Sequence, residues 1–401
     1  MKNDVLLASH PENLKQFKPK PYYWYLKPTV VGDFIAQLAN CINALQRYLE
    51  KHEDEQVFML RVFVRVNTKA QLERYIGEVK KTLERFNGPY TIIAEAPELP
   101  SSVEFEVGTI NTTDVELKYG ETENLRYTQI QYKSHTEYWF EGAIGQGGNT
   151  MEENSKEAFE QLQRAFASIG LSFDAIVRQW NYIEDICGLQ EVGAKKRQNY
   201  QQFNDVRATY YKQFRKVDGF PAATGIGQLF GGVIVECMLV DGYEGCSVFS
   251  VKNQSQEDAY CYSQQVLVGD SIRTGSRKQV PQFERAKLMR VQQKGRLFIS
   301  GTAAIIGQNT VDLNDVVAQT KVIINHLKEL IYTSASYYEA NEFEKEYIAY
   351  LRCYVKHQAD IPVVRDVCLR NFNDVPMSFV VADICRRELL VEIEAEVYRG
   401  E

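Results

Sequence analysis

At 401 residues, 44% hydrophobic and 25% charged, the chain can fill two or three cores and has no composition for long disorder. A net charge of −7 is the wrong sign for a nucleic-acid footprint, though not for a locally positive pocket that holds an anion. Eight cysteines and five histidines without CxxC or Cys/His ligand spacing predict no metal and no cofactor. Without a signal-peptide core or a membrane-length apolar run, the chain is expected to be soluble, cytoplasmic and away from membranes.

Residues 1–31 are polar, then aromatic (Tyr22, Tyr23, Trp24, Tyr25), and read as an arm or an entering edge segment. Helical spacing of Phe34, Leu38, Cys41, Leu45 and Leu49 predicts a helix over Asp33–Glu50. Val57–Val66 alternates as a strand, and Lys69–Phe86 is an amphipathic helix with Gly88 as its stop. Tyr90–Glu95, Val103–Ile110, Leu125–Tyr132 and Glu137–Ile144 read as strands, with a polar linker near Asn111–Glu123. A helix over Glu152–Ile169, ended by Gly170, precedes a strand over Phe173–Tyr182 and a helix over Tyr200–Phe214. Pro221–Gly227 (PAATGIG) reads as a glycine-rich turn leading into the strand Val233–Val240. Strands near Tyr260–Val268 and Arg296–Ser300, a helix over Val316–Ile331 capped by Asp312 or Asn314, a strand over Leu351–Lys356 and a helix over Pro362–Phe372 complete the order.

The chain closes on Val375–Tyr398, which reads as a β-hairpin about Arg386–Glu388. In its second arm Val391, Ile393, Ala395 and Val397 point one way, and Glu392, Glu394 and Glu396 the other. Three carboxylates on one strand face repel one another, so either the face is solvated or one carboxyl is kept protonated in a cleft for proton transfer. VEFEV at 103–107 echoes this VEIEAEV pattern, and such internal echoes bear on architecture. The order of elements is α+β, mostly antiparallel sheet with helices packed on one face.

That order resembles the RidA (YjgF-like, chorismate-mutase-like) fold, whose members form trimers with clefts between subunits. RQWNYIEDI at 178–186, YQQFNDVRATYY at 200–211, FPAATGIG at 220–227, PQFERA at 281–286, LFISGTAAIIG at 297–307 and ADICRRELLVEIE at 382–394 are similar to the chorismatase family, closest to its 3-hydroxybenzoate-forming branch. The resemblance implies an N-terminal module over 1–120 with a partial RidA-like pattern. It also implies tandem RidA-like domains over 121–242 and 243–401, and a homotrimer or a pseudo-trimeric monomer. Carried over residue by residue, it makes Glu392 the catalytic acid and Cys385 the thiol of the 3-hydroxybenzoate branch. Arg207 and Arg285 become carboxylate ligands and Tyr260 a tyrosine near the substrate; Tyr211, Gly225 and Thr302 are further candidate substrate contacts read from the residues themselves. The chain departs from the family pattern at 276–281 (SRKQVP) and at Gln308 and Asn309, where the family has a histidine.

Such residues suit an anionic substrate with an enol ether, as in chorismate. A carboxyl held protonated near neutrality protonates the terminal methylene, and arginine forks hold the two carboxylates. Amides of Gly225–Gly227 or of Gly301 and Thr302 would form anion nests. A RidA-like enamine/imine deaminase is the second expectation, but Met377 stands where such proteins carry their arginine. A non-catalytic ligand-binding protein is the third.

Overall fold

The computed structural model describes residues 21–122, 124–242, 245–271, 276–338 and 346–399, so the expected arm over residues 1–20 lies outside them. Three mixed sheets follow one another along the chain. The first holds β1 (Pro21–Leu26), β2 (Glu55–Val64), β3 (Tyr90–Ile93) and β5 (Val103–Asn111) in the order β1-β5-β2-β3. The two-residue β4 (Ala96–Pro97) crosses to the edge of the third sheet. The second is built from β6 (Glu116–Thr122), β7 (Leu125–Gln131), β8 (Thr136–Gly145), β9 (Ile176–Glu184), β12 (Ala222–Gln228) and β13 (Val233–Asp241), in the order β12-β9-β13-β8-β7-β6. The third takes β14 (Ser247–Val251), β15 (Ala286–Val291), β16 (Lys294–Ala303), β19 (Glu346–Val355), β20 (Met377–Val381) and β21 (Val391–Arg399), in the order β14-β15-β16-β21-β19-β20-β4. Short hairpins β10 (Leu189–Val192) with β11 (Lys195–Gln198), and β17 (Ile305–Ile306) with β18 (Asn309–Thr310), lie outside the sheets.

Two helices cover one face of each sheet: α1 (Phe34–Lys51) and α2 (Lys69–Thr82), α3 (Met151–Ser168) and α4 (Asn199–Phe214), then α5 (Val316–Ser334) and α6 (Ile361–Asn371). Their starts are capped as the local chemistry demands. Asp33, Thr68 and Asp315 accept backbone N–H bonds, and Thr150 with Glu153 closes a capping box. Asp315, not Asp312 or Asn314, therefore caps α5. The opposite faces meet in one shared core containing Tyr23, Phe58 and Phe63 of the first sheet, Trp139, Trp180 and Tyr182 of the second, and Phe298, Tyr350 and Tyr354 of the third.

Each module repeats the same register. Arg61 pairs with Glu106, Trp180 with Glu236, and Arg352 with Glu394, on β2–β5, β9–β13 and β19–β21. Each also has one parallel pair made through a helical crossover: β2–β3, β9–β12 and β19–β20. The modules close on one another in a ring: β3 packs on β8, β12 bridges Glu284 and Ile384, and β20 pairs with β4. The echo between VEFEV and VEIEAEV thus marks equivalent strands.

Several expectations are overturned. The closing hairpin does not form: β20 and β21 both flank β19, because a parallel crossover through α6 fills the place a hairpin partner would take. Pro221–Gly227 is not a turn, since Ala222–Gln228 is strand β12. Glycine is needed there for close approach, as a Cβ on Gly225 would meet the Tyr200 ring at 3.1 Å and one on Gly227 the Asp383 backbone at 2.9 Å. Tyr260–Val268 is no strand but two 3-10 turns, Ala259–Cys261 and Gln264–Val266, whose polar Ser263–Gln265 breaks the alternation. Lys69–Phe86 stops being helical at Thr82, short of Gly88. No helix among the described residues is long and apolar enough to cross a membrane.

Candidate active site

β21 is buried on both sides. Val391, Ile393, Ala395 and Val397 enter the core beneath α5 and α6, while Glu392, Glu394 and Glu396 are 4%, 0% and 0% exposed. The solvated acidic face is therefore excluded, and each carboxyl must be paired or neutral.

Glu394 is paired. It accepts from Arg178 at 2.9 Å, from the Trp180 indole at 2.9 Å and from the Thr224 hydroxyl, and forms an ion pair with Arg352 at 3.0 Å. Burial pushes its pKa up, but Arg352 and Arg178 outweigh this and hold it below the ordinary value. Among the described residues no side chain hydrogen-bonds Glu392. Burial first, and the charge of Glu394 second, raise Glu392 from 4.5 to about 8, against weaker opposition from Arg178 and Arg285. Two carboxyls two residues apart are thus driven to opposite protonation states at neutral pH.

Glu392 opens on a cavity of about 60 Å³ between the second and third modules. A β-bulge in β16, where register shifts between Ile299 and Thr302, makes the room. Ser300 in the bulge accepts from Ala223 N–H at 2.9 Å, and Gly301 N–H donates to Thr224 Oγ1 at 3.0 Å, locking the bulge to β12. A Cβ on Gly301 would lie 2.0 Å from Glu392 Oε1, so a side chain there would displace the acid.

Of the other predicted site residues, Cys385, Arg285 and Gly225 line the cavity with Glu392. Burial, then Glu392, raises the Cys385 thiol, so it is held as the neutral SH. Arg285 is 3% exposed, donates to Tyr262 Oη at 2.7 Å, and among the described residues its Nε has no hydrogen-bond partner. Four predicted contacts do not line it. Arg207 points back along α4 to Asn204 at 2.6 Å, and Tyr211 packs on Phe173 and Phe220 with its hydroxyl on Gln179. Tyr260 turns to Asp258 at 2.7 Å, and Thr302 folds back on the Ser300 carbonyl at 2.8 Å. The expected anion nests do not form either: Gly227 N–H is taken by Asp383 O at 2.7 Å and Gly301 N–H by Thr224.

Residues the sequence did not single out complete the wall: Tyr200 and Asn204 on α4, Tyr262, and Arg386. Arg386 lies 5.4 Å over the Tyr262 ring and donates to Gln308 O at 2.9 Å. Gln308 also accepts from Ser263 N–H at 2.9 Å, so this departure from the family pattern braces the wall from outside the cavity. The periodicity of α4 gave a signal for Tyr200 and Asn204. The long-range pairing of Arg386 gave none.

A family model described as chorismatase FkbO/Hyg5-like, N-terminal, matches residues 114–239. The chain is 29% identical over 296 residues to a 3-hydroxybenzoate synthase of Streptomyces hygroscopicus, covering 71% of this chain and 79% of that one. It is 31% identical over 236 residues to a chorismatase of Streptomyces rapamycinicus, spanning 57% of this chain and 65% of the relative. A crystal structure of a chorismatase, 20% identical, superposes with a TM-score of 0.66 over 94% of this chain and 98% of its own. The first module, which lies outside the family model, is thus part of the shared RidA/YjgF-like fold.

Proposed function

Because the chain belongs to the chorismatase family, we propose that it cleaves chorismate, or a close enol-pyruvyl cyclohexadiene carboxylate, by general-acid catalysis from Glu392. The observation that carries this is a buried carboxyl, its proton affinity raised by burial and by Glu394, facing a cavity flanked by arginines. Glu392 gives its proton to the methylene carbon of the enol ether. The cation that forms at the ether carbon is stabilised by its oxygen, and the ring C–O bond then breaks with release of pyruvate. If the ring loses a proton and aromatises, one chorismate gives one hydroxybenzoate and one pyruvate with no net water. If water is added, the second product is a dihydroxycyclohexadiene carboxylate. The likeness to a 3-hydroxybenzoate synthase favours the hydroxybenzoate outcome, and Cys385 lies at the cavity wall where the ring would sit.

Arg285, with its unpartnered Nε, and Arg386, beside the same tyrosine, are the two carboxylate grips in this reading. Arg207 acts through Asn204 from behind the wall. The deaminase alternative lacks its arginine, since Met377 opens β20. Three sheets closing on one core take the places of three subunits, so we read the chain as a pseudo-trimeric monomer; sedimentation at the mass of three chains would overturn this. Eight free cysteines support a reducing cytoplasm. Incubation with chorismate and an enzymatic pyruvate assay tests the reaction. Glu392→Gln is expected to lower pyruvate release at least about 10³-fold, and full activity in that variant removes Glu392 from the mechanism.

A further inference from the structure

The partner of the acid is wired to a part of the chain that does not reach the cavity. Arg352, which holds Glu394, turns its Nε to Glu106 on β5 of the first module at 2.7 Å. Arg61 on β2 grips the same Glu106 at 2.5 Å and Glu236 on β13 at 2.6 Å. The series Glu236–Arg61–Glu106–Arg352–Glu394–Arg178 alternates in sign, passes through all three modules, and has no member more than 4% exposed. With water excluded, such charges act on one another with little screening. Neither Arg61, Glu106 nor Arg352 lines the cavity.

We infer that the first module acts on the acid step through this chain, with Arg61 and Glu106 as positioning residues that set the electrostatic potential at Glu392. This rests on Glu392 being the acid. The groups facing Glu392 are Glu394 on its own strand, Arg178 on β9, Arg285 ahead of β15, Cys385 in the turn before β21 and Tyr200 on α4. Of these, Glu394 and Arg178 belong to the chain, and Arg61 is among the charges that keep Glu394 ionised. A change of charge in the first module therefore reaches Glu392 through them.

The signature is a pair of opposite shifts. Arg61→Gln removes a cation, so Glu392 keeps its proton to higher pH. Glu106→Gln removes an anion, so Glu392 releases its proton at lower pH. Each shift is expected to be about half a pH unit, a threefold change in proton affinity. The double variant, with charge balance restored, returns toward wild type. The midpoint is read from the carboxylic-acid infrared band that Glu392→Gln abolishes, and independently from the alkaline limb of pyruvate release. General structural damage would move both single variants the same way; that result, or an unmoved midpoint, overturns the inference. Should a neutral variant fail to fold, the double variant and the charge-conserving Arg61→Lys and Glu106→Asp decide. They are expected to titrate as wild type, and a half-unit shift in any of them overturns the inference. The infrared titration needs no turnover, so absence of chorismate cleavage would sink the proposed reaction and leave this wiring to be judged separately.

Discussion

Glu392 and Glu394 share a strand face, and their difference comes from partners. Glu394 has two arginines, an indole and a hydroxyl, while Glu392 has a cavity. Glu392 binds its proton more tightly folded, at about 8, than its ordinary 4.5. Folding therefore takes up a proton between those values, and stability falls as pH rises through that window. Glu392→Gln removes the dependence. Its melting temperature is expected to exceed wild type more at pH 9 than at pH 5, by the equivalent of a few kcal/mol. Paired thermal melts check this, and a gap that does not widen with pH would show that the carboxyl is ionised throughout. Gly301 offers a steric counterpart. Gly301→Ala should push the acid off its seat and lower turnover roughly 100-fold or more, while the circular dichroism spectrum stays that of the folded chain.

At the scale of elements, the bulge in β16 and the parallel edge strand β12 make the site together. One supplies room for Glu392, the other a wall held by Ser300 and Gly301. Another part of the wall is the segment 262–268, fastened where the Gln264 side chain bonds Lys278 N–H at 2.8 Å and Lys278 O at 3.0 Å. A cavity of about 60 Å³ is far below the roughly 300 Å³ of the smaller ligand sites. Admission of a ring-bearing diacid is therefore expected to displace this segment outward. Hydrogen exchange of residues 263–268 is expected to change about tenfold when chorismate is held on Glu392→Gln. Identical exchange with and without ligand would mean that it enters by another wall.

At the scale of the molecule, the three modules cannot be separated without exposing the aromatic core they share and stranding buried charges. Deleting residues 1–113 removes Glu106 and Arg61, leaving Arg352 and Glu236 without those partners. Loss of one partner of a buried ion pair costs about 3–5 kcal/mol, and two are lost at once. The shortened chain is expected to lack a cooperative thermal transition, and the whole chain to melt in a single one. A truncated form that melts sharply would show that the first module is an appendage.

By itself the sequence determined the local terms. Spacing of apolar residues placed the six α-helices of the described residues and many of the strands, because amphipathic periodicity is a property of neighbours in the chain. Motif order carried the resemblance and named Glu392, Cys385 and Arg285, which meet at the cavity, together with Arg207 and Tyr260, which do not line it. The tertiary structure decided what depends on distant partners. Whether the acidic face of β21 meets water or arginines, which tyrosine of Tyr260 and Tyr262 faces the cavity, and that β20 runs beside β19 instead of turning back on β21, are each set by residues tens to hundreds of positions away. The proton affinity of Glu392 divides between the two: the like charge of Glu394 two residues away is legible in the sequence, whereas burial between two modules, the larger cause, is not.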